Sequence, residues 1–183
     1  AKAIDLVNNS QVIDMLSIIS PFGPSMQSYY SKEPKKMDGM KITEEYMQLL
    51  LSSGVDVFHP AVGLKADEAA PFVARLNANA AEHPEYLRRI DSMSDFDELK
   101  KGKKVGFIIG IQNSDHFREL NDVDQFYHLG QRVSQLTYNS RNLIGTGSTD
   151  RSDGGLSDYG VQIVERMNEL GMAVDVSHCG DKT

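Results

Sequence analysis

The sequence predicts an α/β fold built on a parallel sheet, and three observations carry that prediction. Short apolar runs rich in Val and Ile recur along the 183 residues. They alternate with longer stretches in which apolar residues return every three to four positions, the period of a half-buried helix. Several of these stretches are bounded by helix punctuation, with Ser or Thr before and Gly after. Each parallel pairing needs a crossover, so a repeated strand, helix, strand pattern implies parallel neighbours.

The elements follow in order. Val12 to Ile19, within QVIDMLSIISPFGP, is an apolar run stopped by Pro and Gly, and it predicts the first strand. TEEYMQLLLSSG predicts a helix capped by Thr43, with Tyr46, Leu49 and Leu50 on the apolar stripe and Gly54 as the stop. Val55 to His59 predicts the second strand. The Ala-rich stretch from Asp67 to Tyr86 predicts a helix up to Pro84, an insertion of the kind that shapes a site or an interface. SDFDELKKG carries a capping box, Ser94 with Asp97, and ends at Gly102. Val105 to Gln112 and Val133 to Asn139 predict the third and fourth strands. QFYHLG, with His128, falls on a helix between them. The clearest helix is SDYGVQIVERMNELG: Ser157 caps it, Val161, Val164, Met167 and Leu170 share a face, and Gly171 ends it. Met172 to His178 predicts the fifth strand.

Two architectures can use this pattern, an open doubly wound sheet and a closed barrel. A doubly wound nucleotide-binding sheet would carry a glycine-rich phosphate loop after its first strand, and IISPFGPS is not one. GTGSTDRSDGG has the glycines but no P-loop Lys, and it does not join a strand directly to a helix. The expectation is therefore a TIM-like (β/α)8 barrel, one domain over residues 1–183, with about the first five strand and helix units present. Five units leave unpaired strand edges. Further residues beyond Thr183, or a second chain, are expected to complete the sheet.

Composition narrows the function. A net charge of −7 argues against a nucleic-acid partner, and the one basic run, Lys100 to Lys104, reads as a solvated turn. Cys179 is the single cysteine, which rules out an intrachain disulfide and a cysteine-rich metal site. No apolar run approaches the roughly 20 residues of a membrane span, and the first residues lack a signal pattern. The compartment stays open, exported or cytoplasmic.

RVSQLTYNSRN and the long run GLSDYGVQIVERMNELGMAVDVSHCGDKT resemble the membrane (renal) dipeptidase family of metallopeptidases. Weaker correspondence runs back through VGFIIGIQNSDHF to VIDMLSII. The resemblance implies a barrel of the metal-dependent hydrolase type whose strand ends hold two zinc ions, cleaving a small peptide-like substrate with metal-activated water. Two zinc ions close together need a bridging carboxylate to offset their repulsion. At the positions where the family has its first-strand His and Asp this chain has Leu16 and Ile18, and where the family has the bridging Glu it has Gln112. Leu and Ile cannot bind metal, and a neutral amide cannot supply the bridging charge. Where the family has a His that polarises the substrate carbonyl this chain has Tyr138, a phenol that can still donate a hydrogen bond. His178 remains as a recognisable metal ligand.

The expectation is thus a dipeptidase-like hydrolase, or a related amidase, with an altered metal site holding one zinc rather than two, or none. The alternative is an inactive barrel whose mouth binds a peptide or protein. In either case Tyr138 and Gln112 are the catalytic candidates, and Asn113, Asn139 and Arg141 are the substrate-binding ones. His59, Asp115 and His116 are weaker metal candidates: His59 has the bland reading of a rim residue, Asp115 and His116 that of a solvated loop pair. Asp175 reads as an anchor for a loop or for a ligand. Arg151 reads as a surface ion-pairing residue, and Cys179 lacks the base a nucleophile needs. A homodimer is left open.

Overall fold

The computed structural model describes residues 2–17, 44–63, 65–101 and 104–183. They form two compact units, Ala1–Ala61 with Arg75–Ile108, and Val62–Ala74 with Ile109–Thr183. Each carries a four-stranded parallel sheet. The α/β class and the parallel pairing are as the sequence predicts. The described residues form no closed barrel, and one strand is corrected: the run expected as one, Val105 to Gln112, is divided at Ile108 between the two sheets.

In the first unit helix α1 (Lys2–Asn8) precedes strand β1 (Ile13–Asp14). Strand β2 (Val57–Phe58) lies beside β1, then β5 (Val105–Phe107), then β4 (Leu87–Arg89) at the far side. Val57 pairs in register with Ile13 on one side and Gly106 on the other. Val57, Ile90 and Leu99 form a buried cluster with Phe96 and Ile108 packed against it. Helix α2 (Glu44–Ser52) buries Met47 and Leu50, while Leu49 is 62% exposed, so its inner face is turned from the one predicted. Thr43, Ile18 and Gly102 lie outside the described residues.

Helix α3 (Ala66–Glu82) begins in the second unit and ends in the first, and it buries Ala69, Phe72, Val73 and Leu76 at helical spacing. Strand β4 was not legible in the sequence because Leu87 is its one apolar residue. Its arginines are neutralised locally: Arg89 meets Asp91 and Asn77, and Arg88 meets Asp95 and Glu98. Helix α4 (Met93–Lys101) is capped two positions before the predicted box. Asp95 accepts hydrogen bonds from the backbone N–H of Asp91 and Ser92, at 3.0 and 2.8 Å.

Burial alone would raise the Asp95 pKa, but the Arg88 guanidinium and those backbone donors prevail and hold it at about 2, against an ordinary 3.8. The native state therefore releases this proton more readily than the unfolded chain. The resulting stability is complete above the unfolded value and is lost as pH falls through about 2. The size of the shift corresponds to about 2 kcal/mol. Asp95→Asn is expected to lower the urea midpoint at neutral pH by that equivalent and to leave stability near pH 2 almost unchanged.

In the second unit the sheet order is β3 (Ala61–Gly63), β6 (Ile109–Gln112), β7 (Gln131–Gln135) and β8 (Ala173–Asp175). Val133 sits opposite Gly110 and Ala173, which aligns the ends of the three later strands. Helix α5 (Leu120–His128) starts where the Asp122 carboxylate takes the backbone N–H of Arg118 and Glu119. Helix α6 (Asp158–Leu170) is capped by Ser157, whose hydroxyl accepts from the Gly160 N–H at 2.9 Å, and Gly171 closes it with φ 77°. Its buried face runs through Gly160, Ile163 and Met167, whereas Val161, predicted inside, is 43% exposed. Arg166 ties α6 to Asp124 of α5. Among the described residues no helix is long and apolar enough to cross a membrane.

Candidate active site

Parallel strands end together, and the loops leaving their C-terminal ends are where α/β sheets put chemistry. In the second unit three consecutive strands, β6, β7 and β8, each lead into a non-glycine residue with left-handed backbone: Asn113 at φ 87°, Asn139 at φ 64° and His178 at φ 60°. Such residues store strain, persist only where neighbours over-determine them, and cluster at functional sites. Among the described residues these three are the only such cases.

The fourth and fifth strand ends converge. The Tyr138 ring stacks on the His178 imidazole, with centroids 4.5 Å apart and planes 21° off parallel. His178 Nδ1 lies 2.8 Å from Asn139 Oδ1. The Asn139 carbonyl accepts from both the N–H and the hydroxyl of Thr149, each at 2.9 Å, and the His178 carbonyl accepts from the Ser148 N–H at 3.0 Å and the Thr137 hydroxyl at 3.3 Å. The His178 side chain is exposed, and among the described residues its Nε2 has no hydrogen-bond partner.

Asn113 joins this group through Asn142. The Asn142 amide donates to Asn113 Oδ1 at 2.9 Å and to the Leu136 carbonyl at 2.8 Å, while its oxygen accepts from Ile144 and Gly145 N–H. Sequence reading passed over Asn142, although an Asn ahead of a Gly-rich turn is the usual signal for this kind of local backbone bonding. Gln112 ends β6, half-buried.

The remaining candidates go elsewhere. Asp115 is exposed and accepts from Asn113 Nδ2 at 2.7 Å. His116, predicted beside it as a loop residue, turns into the core: it is 4% exposed, its ring lies 4.1 Å from Phe117 and 4.5 Å from Phe126, and Nε2 is 3.0 Å from Gln131 Oε1. Burial pushes its pKa down to about 4 in spite of the Gln131 bond, so the ring is neutral at physiological pH. Arg141 is exposed, its Nε 3.6 Å from Asp150. Asp175 takes the Ser177 N–H at 2.8 Å, a local turn bond. The Cys179 backbone bridges Gly147. In the first unit His59 is buried, and its Nδ1 meets the Met15 carbonyl at 2.6 Å.

Of the expected metal positions, Leu16 is half exposed just past β1 and Gln112 is neutral; Ile18 lies outside the described residues. Among the described residues no three His, Cys, Asp or Glu side chains form a group able to hold a metal ion. A zinc site takes at least three protein ligands, so the described residues do not fit the ion by themselves.

The family model for membrane dipeptidases, peptidase family M19, matches residues 35–183. The chain belongs to this family. It is 31% identical over 109 residues to an uncharacterised dipeptidase of Schizosaccharomyces pombe, a match covering 53% of this chain and 25% of that protein. It is 36% identical over 84 residues to the dipeptidase verJ of Clonostachys rogersoniana, covering 44% of this chain and 22% of that one. Its fold matches the crystal structure of an amidohydrolase from Pseudomonas aeruginosa with a TM-score of 0.79 and 28% identity, over 98% of this chain and 50% of that chain. The chain thus spans half of that solved amidohydrolase, and the matched segments are about a quarter of the two dipeptidases. The family is one of metallo-dipeptidases, and the solved dipeptidase AC of family M19 shares the fold with a TM-score of 0.70 at 16% identity, over 94% of this chain and 57% of that one.

Proposed function

We propose that this chain is part of a dipeptidase-like hydrolase acting on a dipeptide or a related amide, with a metal site altered from the two-zinc arrangement. The observation that carries the reading is the strand-end cluster of Tyr138, Asn139 and His178, held by strained backbone at the place where the family keeps its chemistry. His178 Nε2 is the nitrogen this chain would offer to a single zinc ion, and the described residues group no two further donors with it. When bound, such an ion supplies an activated water. The Tyr138 phenol is a hydrogen-bond donor for a substrate carbonyl, and Gln112 and Asn113 give the mouth neutral donors and acceptors for a peptide backbone. Arg141 is an exposed cation suited to a substrate carboxylate.

The test is His178→Ala in the protein that carries this chain. Zinc content and dipeptide hydrolysis are both expected to fall to background. Unchanged turnover would remove the hydrolase reading. The alternative reading is an inactive protein that binds a peptide at the same mouth. In that case the wild type neither binds zinc nor hydrolyses dipeptides, and a triple variant with Leu16→His, Ile18→Asp and Gln112→Glu gains zinc binding.

A further inference from the structure

We infer that Asn139 is a positioning residue that sets the tautomer of His178, keeping the proton on Nδ1 and leaving the Nε2 lone pair facing the site. The inference rests on His178 being the donor nitrogen of the proposed function.

The chemistry of the pair decides the direction. A carboxamide oxygen can only accept, so with the Asn139 amide turned to place Oδ1 2.8 Å from His178 Nδ1, the proton belongs on Nδ1. A free neutral imidazole side chain in water prefers the opposite tautomer, with the proton on Nε2, and in that form the outward nitrogen is a donor and cannot bind a metal or accept a proton. An exposed histidine used through Nε2 therefore needs a neighbour that claims Nδ1–H, as metal-ligating histidines do.

The protein spends considerable structure on this one contact. Both partners are in left-handed backbone, at φ 64° and 60°, a conformation that costs on the order of a kcal/mol for a side chain other than Gly and is tolerated best by Asn. Each carbonyl is pinned by two hydrogen bonds, that of Asn139 by Thr149 and that of His178 by Ser148 and Thr137. The Tyr138 ring lies nearly parallel to the imidazole and restricts its flip, which would exchange Nδ1 with a carbon. Two strained residues, held by the adjacent Thr149 and Ser148 of one loop and meeting side chain to side chain, are what an over-determined contact looks like.

The test is the tautomer itself, read by two-dimensional NMR on protein labelled with 15N-histidine, at a pH where an ordinary imidazole is neutral. Three proteins are compared: wild type, Asn139→Asp, which keeps the acceptor, and Asn139→Gly, which keeps the left-handed backbone and removes the side chain. Wild type and Asn139→Asp are expected to show the Nδ1–H form of His178, and Asn139→Gly to shift to Nε2–H with the backbone amide spectrum otherwise preserved. A wild type already in the Nε2–H form, or an Asn139→Gly variant with unchanged tautomer, overturns the inference. Zinc alone, titrated into the same proteins, separates it from the functional reading. If His178 ligates zinc, Asn139→Gly weakens binding by roughly 10- to 100-fold, the usual effect of removing a ligand's outer hydrogen-bond partner. If none of the three binds zinc while the tautomer shifts as stated, the ligand role falls and the positioning role stands.

Discussion

Gly160→Ala is expected to destabilise the second unit by about 3 kcal/mol or more, although local rules say the opposite. Gly in a helix interior is weaker than Ala by up to about 1 kcal/mol, and Gly160 lies in the first turn of α6. A Cβ built there would sit 1.9 Å from the Ile144 carbonyl oxygen and 2.8 Å from its carbon. Those atoms are backbone and cannot swing aside. The Ile144 carbonyl also accepts from the Ser157 N–H at 2.9 Å, so moving it breaks the bond that joins this loop to the helix cap. Overpacking of a tight site costs typically 1–3 kcal/mol, and the rigidity of both partners puts this one at the upper end. Urea unfolding of the variant is the measurement. A midpoint equal to wild type or higher would mean that α6 can slide on the loop.

Gly147→Ala is expected to damage the site as well as the stability, again by about 3 kcal/mol. The built Cβ would lie 2.0 Å from the Asn139 carbonyl oxygen, 2.3 Å from its carbon and 2.6 Å from the Ser140 nitrogen. Gly147 also pairs with the Cys179 backbone, and its N–H donates to Asp150 Oδ2 at 2.9 Å. The residue is thus clamped between the chain that carries Asn139 and the chain that carries His178. Adding one carbon must push these apart and lengthen the 2.8 Å contact between their side chains. Near-UV circular dichroism, which reports Tyr138 against His178, should change more than the far-UV signal. A variant with wild-type near-UV signal and tautomer would show that the loop absorbs the carbon without moving Asn139.

These two glycines show where sequence reading stops. GTGSTDRSDGG reads as a surface loop, yet within it Thr149 bonds to the Asn139 carbonyl, Gly147 pairs with the Cys179 backbone and Thr146 bonds to Thr183. A close backbone approach leaves no mark in composition or periodicity, because any Gly permits it and few are used for it. His116 was misplaced for a related reason. Beside Asp115 it looks solvated, and it is the distant Gln131 and Phe126 that make its burial tolerable. Strand β4 is not legible because Leu87 is its one apolar residue, and only the structure shows its two arginines paired with the nearby Asp91, Asp95 and Glu98.

The sequence by itself determined the alternation of strands and helices, the cap and stop of α6 at Ser157 and Gly171, and the family. These rest on local chemistry: period, cap hydrogen bonds and motif residues within a few positions of one another. That neither Leu16 nor Gln112 can act as a charged ligand is likewise legible in the sequence, since a side chain's ability to bind metal is a property of the residue. Only the tertiary structure decided that the Val105 to Gln112 run divides between two sheets, that Tyr138 stacks on His178, and that Asn139 reaches its Nδ1. Those contacts join positions about forty residues apart, and their geometry is set by parallel register and by loops packed backbone to backbone.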